Sequence, residues 1–155
     1  MPIQIPKSLR LEHQELHHFL AAARQEPGEL GDAARRVARL LEPHFRKEEA
    51  FALPPLALLV RLVRGELDPA MSEILPRSEW LKDNLPTLMA EHVDITRALQ
   101  ELLEAARTAQ RIDYVEFAEK LINHARMEEE VMYPAAILVG EYLRLRLAQR
   151  EGLAT

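Results

Sequence analysis

Apolar residues recur at helical spacing in four segments of this chain. The first reads Leu9, His13, Leu16, Leu20, Ala23 and runs out near Pro27-Gly28. The second, after a Gly31-Asp32 start signal, reads Ala34, Val37, Ala38, Leu41, His44, Phe45, Glu48, Phe51, Ala52. The third reads Leu81, Leu85, Leu88, His92, Ile95, Leu99, Leu102, Ala106. The fourth reads Tyr114, Phe117, Leu121, His124, Ala125, Glu128, Val131, Met132, Ala135, with Asp113 placed to cap its start. The period-two alternation of strands is essentially absent. Each stripe carries a histidine, and two carry a glutamate, where the pattern calls for Leu or Val.

These segments predict an all-α protein: an antiparallel up-down-up-down four-helix bundle within one domain over residues 1–155. A connector over about 55–77 separates helix–helix units at about 8–54 and 78–148. Within it, Leu56 to Val63 is apolar nearly all round. That predicts a short extra helix buried across one end of the bundle or in a homodimer contact through 55–63. Pro43 and Pro86 remove backbone donors and are expected to kink or delay their helices, while Pro54 and Pro134 should end or bend theirs.

The chain also repeats itself. Glu12-His13-x-x-Leu16-x-x-x-Leu20 returns 79 residues later as Glu91-His92-x-x-Ile95-x-x-x-Leu99. His44-x-Arg46-x-Glu48-Glu49-x-x-x-x-Pro54 returns 80 residues later as His124-x-Arg126-x-Glu128-Glu129-x-x-x-x-Pro134. Two copies of one helix–helix unit, paired through a pseudo-two-fold axis, would close the bundle.

One H-x-x-x-E pair is a weak motif, since 6 histidines and 20 glutamates in 155 residues give about 0.8 such pairs by chance. Position carries the signal instead. Residues four apart on a helix project the same way, and both pairs, His44/Glu48 and His124/Glu128, lie on apolar stripes. With His13 and His92 they would bring four imidazoles and two carboxylates into one core. Unpaired, each buried carboxylate would cost several kcal/mol or take up a proton. A pair of metal ions satisfies all six, and this donor mixture suits iron, with manganese and zinc open.

Other residues read less sharply. His17 lies one turn after His13 on the same side and is a candidate fifth histidine, although the repeat puts Thr96 at its counterpart. His18 points to the bundle edge or solvent. Glu49 and Glu129, turned about 100° from the stripe, are read as surface partners of Arg46 and Arg126. Glu12 and Glu91 could accept a hydrogen bond from an imidazole, with a solvated face as the plainer reading. Met89, Met127 and Met132 are read as core filler, and Trp80 and Tyr133 as packing residues.

Composition narrows the classes. With no cysteines, the chain has no disulfide, zinc-thiolate or cysteine-ligated cluster chemistry. The net charge of −5, with signs interleaved, argues against nucleic acid or an anionic membrane as partner. No apolar run is long enough to span a membrane and no signal peptide is visible, so a cytoplasmic protein is expected.

The ordered set His13, His44-x-x-x-Glu48, His92, His124-x-x-x-Glu128 resembles the hemerythrin-like family, the HHE cation-binding domains, over almost the whole chain. The resemblance implies a non-haem centre of two iron ions with a bridging oxo or hydroxo group. It implies that His13 and His44 bind one iron, that His92 and His124 bind the other, and that Glu48 and Glu128 bridge them. Oxygen-carrying members have a fifth histidine on the third helix. Here Leu88 and Thr96 flank His92, and His17 is the one residue that could replace it. The implied function is to bind, sense or detoxify O2, NO or peroxide, as a small-ligand binding protein rather than a dedicated enzyme. The alternative is iron handling, sensing or donation with a partner protein.

Overall fold

The protein is described here by a computed structural model covering residues 3–153. Among these residues every regular element is helical. Four long helical stretches pack together as a four-helix bundle requires. The first is α1 (Lys7–Ala23). In the second, α2 (Gly28–Lys47) passes through a π-turn, Glu48–Ala52, into α3 (Leu53–Leu56). After the short α4 (Leu59–Val63) and a 3-10 turn, Pro69–Ile74, comes the 34-residue α5 (Leu75–Thr108). The last stretch runs from α6 (Ile112–Met127) through a second π-turn, Glu128–Met132, into α7 (Tyr133–Leu153). Helix α5 is the hub, packing on α2, α6 and α7.

The predicted stripes are the buried faces. Leu16, Leu20, Val37, Leu41, Leu99, Leu102 and Leu121 join one apolar cluster. Ala52, Leu53, Leu81, Leu88, Met132 and Tyr133 join a second. Burying each large side chain contributes about 1.5–3 kcal/mol. Between the clusters, His13, His44, Glu48, His92, His124 and Glu128 form a polar layer crossing the interior.

Several expectations shift. Helix α2 starts at Gly28, three residues ahead of the Gly31-Asp32 signal. Gly28 turns the chain at φ +68, and a Cβ on Gly31 would collide with the Glu26 carbonyl. Asp113 does not cap α6; its carboxylate pairs with Arg111 at 3.1 Å. Pro43 and Pro86 sit inside continuous helices on exposed faces, where water can meet the carbonyl each leaves without a donor. The segment Leu56–Val63 is not buried all round: Leu56, Leu58 and Leu62 face inward, while Val60 and Val63 are exposed. Met127 is exposed rather than core filler.

The two π-turns are the main departure. Neither Pro54 nor Pro134 ends its helix; each follows a widened turn in which the N–H of Leu53 or Tyr133 donates to Glu48 or Glu128. Arg77 donates to the Ala50 carbonyl at 3.0 Å, the acceptor that Pro54 cannot serve. An extra residue per turn rotates the buried face onward by one position. Hence Met132 is buried as the stripe placed it, but Tyr133 and Ala136 are buried in place of Val131 and Ala135.

Helices α5 and α7 approach closely at Gly140, where an added Cβ would strike Ser78, whose Oγ donates to the Ala136 carbonyl at 2.8 Å. Gly140→Ala should therefore displace this buried hydroxyl and destabilise the fold by about 1–3 kcal/mol. Chemical denaturation should show a lower midpoint with an unchanged slope.

Candidate metal centre

All six predicted side chains come together, and none is more than 4% exposed. Their inward atoms form two overlapping groups: His44, Glu48, His92 and Glu128, and His13, His124 and Glu128. The Nε2 atoms of His44 and His92 are 2.9 Å apart. Glu48 spans the groups, with Oε1 at 2.9 Å from His44 Nε2 and Oε2 at 3.7 Å from His13 Nε2. Glu128 Oε1 lies 3.4 Å from His124 Nε2 and 3.9 Å from His92 Nε2. By distance His44 goes with His92 and His13 with His124, so each group takes one imidazole from each repeat.

The outward face of every histidine is also engaged. His44 Nδ1 meets Glu91 at 2.7 Å, His92 Nδ1 meets Glu129 at 2.9 Å, and His124 Nδ1 meets Glu12 at 3.0 Å. His13 Nδ1 meets Glu49 at 3.3 Å. These four glutamates are partly exposed, and reading Glu49 and Glu129 as partners of Arg46 and Arg126 was wrong. They turn inward because each sits one residue beside a residue of the polar layer, next to the imidazole of a neighbouring helix. The repeat was the signal for them, since Glu12/Glu91 and Glu49/Glu129 recur with the histidines they serve. A carboxylate can only accept, so each Nδ1 carries a proton, and in the neutral ring Nε2 then turns its lone pair inward. This is the carboxylate–histidine arrangement that prepares imidazoles for a metal.

His17 joins neither buried group. It lies at the rim with Nε2 3.5 Å from Glu49 Oε1, its ring against Phe45, and forms a half-exposed third group with His13 and Glu49. His18 is exposed, as expected. Tyr133, read as packing, is instead part of the centre. Fully buried, it donates its hydroxyl to Glu48, and its Oη is 3.3 Å from His44 Nε2 and 3.2 Å from His92 Nε2.

The layer lacks cations. Six carboxylates lie within or directly around it, and Lys47, paired with Glu91, is the one lysine or arginine that meets any of them among the described residues. Burial opposes ionisation of Glu48, but protonated Glu128 with His44 and His92 around it holds its pKa well below the usual range. Burial and then the Glu48 charge push Glu128 well above, so Glu128 keeps the proton. Burial works against a charged His44, yet Glu48 and Glu91 on its two nitrogens hold its pKa up. Burial lowers that of His124.

Among the described residues the buried side-chain atoms left without a hydrogen-bond partner are His13 Nε2, His124 Nε2, Glu48 Oε2 and Glu128 Oε2, all within this layer. Orphaned buried polar atoms are rare because each carries its full desolvation cost. Two imidazole and two carboxylate lone pairs left over in one place fit a bound metal. The cluster could hold a metal ion.

Nothing matched in comparisons of this chain with protein-family models, curated proteins and solved structures. The chemistry of the centre is therefore read from its own residues. Against its apolar side lies an enclosed cavity of about 10 Å³, bounded by His44, His92, His124 and Glu128 and by Leu41, Leu99 and Leu121. That is room for about one water-sized molecule.

Glu128→Gln should separate stability from metal binding. The amide keeps the shape of the protonated acid and removes a carboxyl whose ionised form the fold disfavours. Because the folded-state pKa of Glu128 is raised, the metal-free fold loses stability as pH rises from the ordinary carboxyl value through the raised one. Metal-free Glu128→Gln should therefore melt higher than the parent at neutral pH, with a smaller loss as pH rises, and should retain less metal on dialysis.

Proposed function

We propose that the chain binds a pair of iron ions across the polar layer, within an antiparallel bundle of the hemerythrin-like kind. There it binds, senses or detoxifies a small ligand such as O2, NO or peroxide. The cavity beside the imidazoles carries this reading, because its volume matches one very small guest, about a water molecule in size. Its apolar lining favours an uncharged guest. His13, His44, His92 and His124 would hold the ions through Nε2, with Glu48 and Glu128 as shared carboxylates. When bound, iron would supply reversible one-electron chemistry and open coordination for the guest. The chain's own contribution is to fix four imidazole tautomers through the outer glutamates and to exclude bulk water.

No helix among the described residues is long and apolar enough to cross a membrane, which agrees with the proposed cytoplasmic setting. A homodimer through 55–63 would use exposed Val60 and Val63. Iron handling is the second reading, and the half-exposed His17–Glu49 pair beside His13 favours it as a route for ions in and out. Rapid loss of iron to a chelator, slowed in Glu49→Gln, would support that reading over ligand binding.

Metal analysis with absorption spectra before and after reduction tests the main reading. Iron near two per chain, with a band that bleaches on reduction and returns in air, is the expected result; a metal-free protein would exclude it. Ala125→Val should fill part of the cavity. Iron content should be unchanged while the affinity of the reduced protein for nitric oxide, read from its absorption spectrum, weakens about tenfold or more, roughly the effect of 1.4 kcal/mol.

A further inference from the structure

Tyr133 occupies a place that neither packing nor a hydrogen bond to Glu48 explains. A hydroxyl has one proton, and the Tyr133 hydroxyl spends it on Glu48. Its oxygen nevertheless faces two more acceptors, His44 Nε2 at 3.3 Å and His92 Nε2 at 3.2 Å. With Nδ1 of each ring against a carboxylate, Glu91 or Glu129, the neutral form of either histidine presents Nε2 as an acceptor. Their Nε2 lone pairs are 2.9 Å from each other as well. Four nitrogen and oxygen atoms able to bind a metal thus converge from four places in the chain.

The spacing is informative. Two donors each about 2.1 Å from one first-row metal ion, at right angles, lie about 3 Å apart. The distances among His44 Nε2, His92 Nε2 and Glu48 Oε1 are 2.9, 2.9 and 3.9 Å, and the phenol oxygen sits in contact with all three. The π-turn makes this arrangement. On a regular helix, Tyr133 would stand about 140° round from Glu128. The bond from its N–H to the Glu128 carbonyl widens the turn and brings the ring over the site.

We infer that Tyr133 is a metal ligand, its phenolate oxygen binding the ion held by His44, His92 and Glu48. The inference rests on the metal-binding reading above. Coordination forms one oxygen–metal bond and breaks the phenol O–H; the proton leaves to solvent and no electron is transferred. The other repeat has Leu53 at the corresponding position, so the two metal positions are chemically unequal: one bears a phenolate and the other does not.

Purified full-length protein, loaded with iron and oxidised in air, would be assayed for iron content, visible absorption and resonance Raman scattering. The expected result is a phenolate-to-ferric charge-transfer band with tyrosinate ring modes. Tyr133→Phe should retain iron through the remaining donors and lose both signals entirely, whereas Tyr142→Phe, at an exposed tyrosine, should keep them. Bound iron without tyrosinate modes, or modes that survive in Tyr133→Phe, would overturn the inference and leave the metal centre standing. Absence of iron would sink both. If Tyr133→Phe does not fold, Raman scattering of the parent protein decides the matter. Zinc titration gives an independent check: ionisation of one of the three tyrosines should appear as a tyrosinate difference spectrum, and its absence counts against the ligand.

Discussion

Six ionisable side chains cross the interior of this bundle as one layer, and everything around them follows from the cost of keeping them there. An ionised carboxylate without a partner in an apolar core is among the most expensive groups a fold can hold. One ionised carboxylate, one protonated carboxyl and four imidazoles sit between two apolar clusters. The fold meets the outward half of the demand with four glutamates that fix the imidazole tautomers. The inward half it leaves open, as four orphaned atoms and a ring of carboxylates with almost no basic partner.

The surrounding scaffold is correspondingly firm. Interdigitated leucines above and below the layer set the spacing of the helices, and α5 touches most of the others. The centre is thereby built on helices rather than loops, which holds donor atoms to the tolerance that coordination requires. The tight Ser78–Gly140 approach and the stacked Phe51 and Trp80 rings, 4.0 Å apart, fasten the end that carries Tyr133. Stability is given up within the layer and recovered in the apolar clusters on either side.

Much of this was legible in the chain before any coordinates. Helical period fixed the class and the buried stripes, because burial of one face is the dominant favourable term and leaves a 3.6-residue signature. The interruptions of that period by His13, His44, Glu48, His92, His124 and Glu128 marked the polar layer, because polar residues persist on a buried stripe only when something satisfies them. The 79- and 80-residue repeat tied the six into one place and carried the four outer glutamates along with them.

Three features needed the folded molecule. Which imidazoles adjoin depends on how the helices cross, and period along one helix says nothing of that; hence His44 lies beside His92, and His13 beside His124. Glu49 and Glu129 stand about 100° off their stripes and read as surface partners of arginines. Glu12 and Glu91 read most plainly as solvated, until a neighbouring helix supplies an imidazole for each of the four. Tyr133 was hidden for a different reason. A count of 3.6 residues per turn puts Tyr133 off the buried face, and the widened turns before Pro54 and Pro134 break that count, moving the buried face on by one residue. The sequence determined the helices, the faces they bury and the donors they carry, since those depend on local spacing. Only the tertiary structure decided which donors meet and how a tyrosine joins them, since those depend on helix crossings and on a hydrogen bond one residue longer than the α-helix allows.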